Sequence, residues 1–265
     1  MLRGASAEAR DDLVSRLEGL SGDAATLGEE LFAIAAVLRG EAAVRRIATD
    51  ASIEGAAKAG LMGNVFGNAL GSDAVDLVKD AVKRRWTRPR DLADVIEYLG
   101  VLATVRSAGD EGGRISDELF EVRRTVDGFG DLRSALSDPA RTADDKRGLL
   151  HQLFDGKVEP ATLVLVGQAV SGSHGSVDRG LEEFQHVAAE AKNEKIATVR
   201  TARPLADAEV ERLTQALSDQ YATSVHLQVV VDPDVVGGLR VEIGDDVIDG
   251  TVSSKLDDAQ RKLAG

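Results

Sequence analysis

Apolar residues return every three or four positions along most of the chain, and every second position only near its end. The first rhythm predicts helices with one buried stripe, the second half-buried strands. Helices are expected over Ala7–Leu20 (stripe Leu13, Leu17, Leu20), Ala24–Arg39 (Leu27, Leu31, Ile34, Leu38), Ala42–Ile47, Gly55–Phe66 and Ala74–Trp86. A second set follows over Arg90–Val105, Ile115–Val126, Leu132–Leu136, Thr142–Phe154, Pro160–Ser171 and Val177–Lys195. Thr142, with Asp145 three residues on, has the form of a helix cap. The rhythm then changes. Lys195–Ala202 is expected as a strand ended by Pro204, and Val210, Leu213, Leu217 and Tyr221 share one face of a helix. Val225, Leu227, Val229 and Val231, then Leu239, Val241 and Ile243, alternate as strands. Val252, Leu256, Ala259 and Leu263 mark a closing helix.

The first helical set resembles the second at an offset of 88 positions. Glu30-Leu31-Phe32 falls on Glu118-Leu119-Phe120, Asp50 on Asp138, Lys58 on Lys146, Gly60 on Gly148, Leu61 on Leu149, Phe66 on Phe154 and Leu77-Val78 on Leu165-Val166. Apolar positions meet apolar positions without a gap, so the match is more than shared composition. A period this long implies two copies of a bundle and not a solenoid. The expected architecture is mostly α with a small α+β C-terminal domain: two repeated helical bundles (residues 1–88 and 89–194), then a sheet-plus-helices domain (195–265).

One stretch carries more information than the rest. Asp232-Pro233 stops a strand, because proline fixes φ and lacks an N–H. Gly237-Gly238 restarts the chain in a conformation that a Cβ would resist. Gly244-Asp245 makes another turn, and Asp249-Gly250-Thr251 stands before the closing helix. In order and spacing these residues resemble the signature of the delta subunit of F-type ATP synthases, called OSCP in mitochondria. The matching positions are Asp232, Pro233, Gly237, Gly238, Gly244, Asp245, Asp249 and Thr251. Thr251 stands where that signature has serine and keeps the hydroxyl. The resemblance runs upstream to about Arg85, and reaches the first bundle only through the repeat.

The resemblance implies a stator part with no catalytic role. It would link the catalytic head of a proton-translocating ATP synthase to the b-type peripheral stalk, so that the head does not turn with the rotor. It would lie on the cytoplasmic face of the membrane as a peripheral member of the complex. The helical domain would hold the N-terminal helix of an α subunit in a groove between the first and fifth helices of the second bundle, with Leu92, Ile96, Leu99, Leu163 and Val166 as candidate lining. The C-terminal domain would meet the stalk helices, with Leu256 and Leu263 as candidate contacts. Ordinary members lack the first bundle.

Composition narrows the alternatives. With 32 basic and 45 acidic residues the net charge is −13, the wrong sign for a nucleic-acid surface. Aromatic residues are 3% of the chain, too few for base stacking, and there is no cysteine for a disulfide, a thiolate metal site or a nucleophile. No apolar run reaches membrane-spanning length. Asp245, Asp246 and Asp249, with Glu242, could suggest a metal or carboxylate pair, but lack EF-hand spacing and read as a polar turn before a helix. His151, His174, His186 and His226 stand at no ligand spacing. No cofactor or metal is expected. The one basic run, Lys83 to Arg90, could dock an acidic partner surface such as the stalk through Lys83, Arg84 and Arg85, or a lipid headgroup region. It reads more readily as a helix C-terminus entering a linker at Pro89. The competing reading of the whole chain is a generic helical adaptor of another assembly. A weaker one is a carboxylate-dependent enzyme centred on Asp245 and Asp249.

Overall fold

The computed structural model describes residues 2–251 except 110, 111, 172, 173, 236 and 245. The expected closing helix, with Leu256 and Leu263, lies outside the described residues, as does Asp245. The chain divides into two compact units, Met1–Ala188 and Ala189–Gly265.

The first unit is helical: α1 (Ala5–Glu18), α2 (Ala24–Gly40), α3 (Ala42–Thr49), α4 (Gly55–Phe66), α5 (Ser72–Lys83), α6 (Pro89–Ser107), α7 (Gly112–Gly128), α8 (Gly130–Ser137), α9 (Ala143–Phe154), α10 (Pro160–Ser171) and α11 (Val177–Glu190). Local chemistry sets several ends. Asp23 caps α2, its carboxylate accepting from Ala25 N at 3.1 Å. Thr142 and Asp145 close the expected box on α9: Asp145 N donates to Thr142 Oγ1 at 3.1 Å, and Thr142 N donates to Asp145 Oδ2 at 3.2 Å. The fifth helix stops at Lys83, short of the expected Trp86, because the Trp86 indole N–H turns back to the Ala81 carbonyl at 3.0 Å. The eleventh ends at Glu190, where the expected helix ran to Lys195. Asn193, at φ 57°, turns the chain into the first strand.

The 88-residue offset reappears in the coordinates. Helices α2, α3, α4 and α5 begin and end at the counterparts of α7, α8, α9 and α10. Side-chain bonds recur with them. Glu30 accepts from Gly71 N at 2.6 Å, and Glu118 from Glu159 N at 2.9 Å. Asp50 accepts from Ser52 N, and Asp138 from Ala140 N, both at 2.8 Å. Arg45 donates to the Arg39 carbonyl at 2.7 Å, and Arg133 to that of Asp127 at 3.1 Å. At the same offset α11 falls on α6, and α6 also stands opposite α1. One helix therefore fills two roles, closing the first set and opening the second.

That double role explains why residues 1–188 form one compact unit, where the sequence suggests two bundles meeting near residue 88. A single core runs from Leu13 to Ala188. Helix α6 touches α1, α2, α3, α5, α7 and α10, and between Asp91 and Val105 only Asp94 and Tyr98 are not buried. A helix apolar nearly all round is one that others surround. Against α2 the approach is close. A Cβ on Gly100 would lie 2.7 Å from the Phe32 ring, and one on Gly28 would lie 2.5 Å from Thr104 Oγ1.

The second unit has a sheet in the order β2-β1-β3-β4, built from β1 (Glu194–Thr201), β2 (Ser224–Val231), β3 (Leu239–Ile243) and β4 (Asp246–Asp249), with α12 (Asp207–Tyr221) linking β1 to β2. The β1–β2 pair is parallel, with Ala197 opposite Leu227, and the other two pairs are antiparallel. A crossover helix is what a parallel neighbour requires. Leu217 of α12 packs with Ala197, Val199, Val225, Val241 and Ile243 on one face.

Candidate partner-binding site

Within the helical unit, a cavity of about 810 Å³ opens between α2, α9 and α10. Phe32, Ala33 and Ala36 form the α2 wall. Leu150 lies on α9, Val158 on the turn that follows, and Leu163, Val164 and Gly167 on α10. The rim is polar and of mixed charge: Glu29, Arg147, His151 and Asp155. Small residues leave the space. Ala33, Ala36 and Gly167 give three helical positions where larger side chains would fill it. An apolar trough with a charged rim suits the apolar stripe of a partner helix.

The second feature is a buried polar hub beside this cavity. Glu97 is 2% exposed on α6. Arg39 of α2 grips it with two bonds, Nη1 to Oε1 at 3.0 Å and Nη2 to Oε2 at 2.7 Å. Gln168, which lines the cavity, donates to Glu97 Oε1 at 2.6 Å. His174 Nε2 lies 3.4 Å from Glu97 Oε2, and the same imidazole meets the Phe184 ring edge-on. Asp94 adds a longer contact to Arg39 at 3.3 Å. Burial alone would raise the Glu97 pKa. Hydrogen bonds from His174, Arg39 and Gln168 and the guanidinium charge outweigh it, and the carboxyl is held down at about 2. The hub ties α2, α6, α10 and the segment after α10 to one carboxylate, and so sets where the cavity walls stand.

Of the five expected groove residues, Leu163 alone lines the cavity. Leu92, Ile96, Leu99 and Val166 are wholly buried in the core, because α6 packs against six other helices and these positions lie within that packing. The wall that sequence reasoning missed is α2. Its Ala33 and Ala36 lie outside the leucine stripe, and nothing in a local pattern says what they face. The hub left no separate mark in the sequence: Arg39 stands at the end of α2, which also has Glu29 and Glu30, and Glu97 is one of several charges on α6.

Other expected positions behave as structure. Lys83 bridges to Asp80 at 3.1 Å, and Arg84 pairs with Asp12, so two of the three cations expected at the stalk are engaged within the chain. Arg85 is exposed. The signature residues of the second unit shape turns. Asp232 accepts from Asp234 N at 3.0 Å. Gly237 and Gly238 have φ 69° and 80°, and a Cβ on Gly238 would fall 2.4 Å from the Gly250 carbonyl oxygen, so glycine is required there. Gly244 turns at φ 57°. Asp249 accepts from Thr251 N at 2.9 Å and from Thr251 Oγ1 at 2.7 Å. Among the described residues no group of histidines and carboxylates could hold a metal ion, and no helix is long and apolar enough to cross a membrane.

The family model described as the ATP synthase delta (OSCP) subunit matches residues 101–263. Relatives named "ATP synthase subunit delta" align along the whole length. The one from Nocardioides sp. is 52% identical, covering 100% of this chain and 98% of its own. That from Streptomyces avermitilis is 40% identical, covering 99% and 97%. That from Thermobifida fusca is 37% identical, covering 100% of both. The first hundred residues, outside the family model, are thus inside the alignment with these relatives.

Proposed function

The chain belongs to the ATP synthase delta (OSCP) subunit family, and from that membership we propose that it is a non-catalytic stator part. In this reading it joins the catalytic head to the b-type peripheral stalk on the cytoplasmic face of the membrane. Beyond the family, the observation that carries the reading is the cavity: a pre-formed apolar trough in the helical unit. It takes the N-terminal helix of an α subunit, whose apolar stripe would meet Phe32, Ala33, Ala36, Leu163 and Val164. The second unit meets the stalk, with Leu256 and Leu263 as its contacts. Two separate contacts on one chain retain a partner better than either alone, because release at one leaves the other holding.

We also infer that residues 1–107 and 89–190 descend from one duplicated bundle sharing α6. The recurring Glu30/Glu118, Asp50/Asp138 and Arg45/Arg133 bonds support this, since such pairs would not recur in register by composition alone.

Calorimetric titration of the α-subunit N-terminal peptide into the full chain tests the reading. One site per chain is expected. Leu163→Glu should weaken binding at least tenfold, as a charge would be buried in the trough, and Ala36→Trp should block it by filling the space. Tight binding that ignores both substitutions would remove the cavity from the proposal. No binding, with stalk helices present or absent, would favour a generic adaptor.

A further inference from the structure

The corner where α5 gives way to α6 is knitted to the start of α1. Thr87 Oγ1 donates to the Arg3 carbonyl at 3.0 Å, Thr87 N donates to Ser6 Oγ at 2.8 Å, and Ser6 Oγ donates to Asp91 Oδ2 at 2.8 Å. These bonds hold the Arg3 backbone against Thr87, which Arg85, Arg88 and Arg90 flank within three residues in the chain. All four are exposed, and none has a carboxylate within ion-pair distance among the described residues, whereas neighbouring Lys83 and Arg84 are paired with Asp80 and Asp12. The acid built into the corner, Asp91, is buried and turned inward to Ser6 and the Arg88 N–H. The result is a local patch of four uncompensated guanidiniums on a chain of net charge −13.

We propose that Arg3, Arg85, Arg88 and Arg90 form a docking surface for a carboxylate-rich segment of a protein partner. Guanidinium forks match carboxylates in pairs and hold them more specifically than lysines would. A membrane surface fits the corner less well. Trp86 donates inward to Ala81 and packs on the core with Leu2, and no large apolar side chain from residues 2–6 or 84–91 is exposed to enter a bilayer. An extended anionic surface would also meet the repulsion of the acidic remainder, while a short acidic segment would not. This deepens the stator reading by giving the N-terminal helices a partner chemistry. It rests on the chain's own surface, so its failure leaves the groove titration untouched.

Trp86 is the sole tryptophan and lies between Arg85 and Arg88 in the chain, half-buried against the core beneath the patch, so its fluorescence reports binding. The full chain is titrated with a glutamate-rich helical peptide and with its glutamine counterpart. Saturable change with the first and silence with the second are expected, weakening about tenfold on raising the salt. A similar loss is expected in Arg88→Gln/Arg90→Gln, whose exposed positions leave the far-UV circular dichroism unchanged. Lys83→Gln should bind as the unaltered chain does, because Lys83 is engaged with Asp80. The proposal is overturned if the glutamate peptide is silent, or if Arg88→Gln/Arg90→Gln binds it normally. It is equally overturned if phosphatidylglycerol vesicles change the signal while the peptide does not.

Discussion

Glu97 shows how one buried carboxylate can hold three helices and a connecting segment. Removing its main partner should cost more than the pair itself contributes, because it leaves an uncompensated buried charge. Arg39→Met is therefore expected to destabilise the chain by about 3–5 kcal/mol, and Arg39→Met/Glu97→Met to recover most of that loss, both read from urea unfolding. The pH dependence follows from the same site. Its folded pKa, about 2, lies below the ordinary 4.5. The stabilisation is thus complete above pH 4.5 and is lost as pH falls towards 2. Acid titration of unfolding should show a shallower loss across that window in Glu97→Gln. The hub was not legible in the sequence. Each charge is one of several on its helix, 58 residues separate Arg39 from Glu97, and no local pattern joins them. The turn residues Asp232, Gly237, Gly238 and Asp249 were legible because backbone geometry is local.

Helices follow closely from the leucine rhythm and the caps, which are properties of neighbouring residues. Where α5 ends was not legible, since a long-stemmed indole reaching back to Ala81 decides it. Nor was the close crossing of α2 and α6, although Gly28 and Gly100 are visible in the chain. The two kinds of helical glycine separate in a simple experiment. Gly100→Ala puts a methyl into the Phe32 ring and is expected to cost about 1–3 kcal/mol. Gly60→Ala, in α4 where an added Cβ meets nothing within 4 Å, is expected to stabilise by roughly 0.5–1 kcal/mol. Thermal unfolding of both variants checks the difference. Thr142→Ala removes the α9 cap and should lose about 1 kcal/mol.

Across the whole molecule, fold class and the division between helices and sheet were readable, because each rests on periodicity. That the helical residues form one unit was not, since a repeat suggests separable copies and only the packing around α6 joins them. A fragment of residues 1–85 lacks the helix that closes its core. It is expected to show no cooperative unfolding by circular dichroism, while residues 1–109 should melt in one transition. The shared helix also bears on how such a chain can change over descent. Every substitution on α6 is judged by neighbours from both halves at once, so it should tolerate fewer replacements than any other segment. A lineage adding a further copy would need five new helices instead of six, each addition lengthening the array by the same 88 residues without creating a new seam.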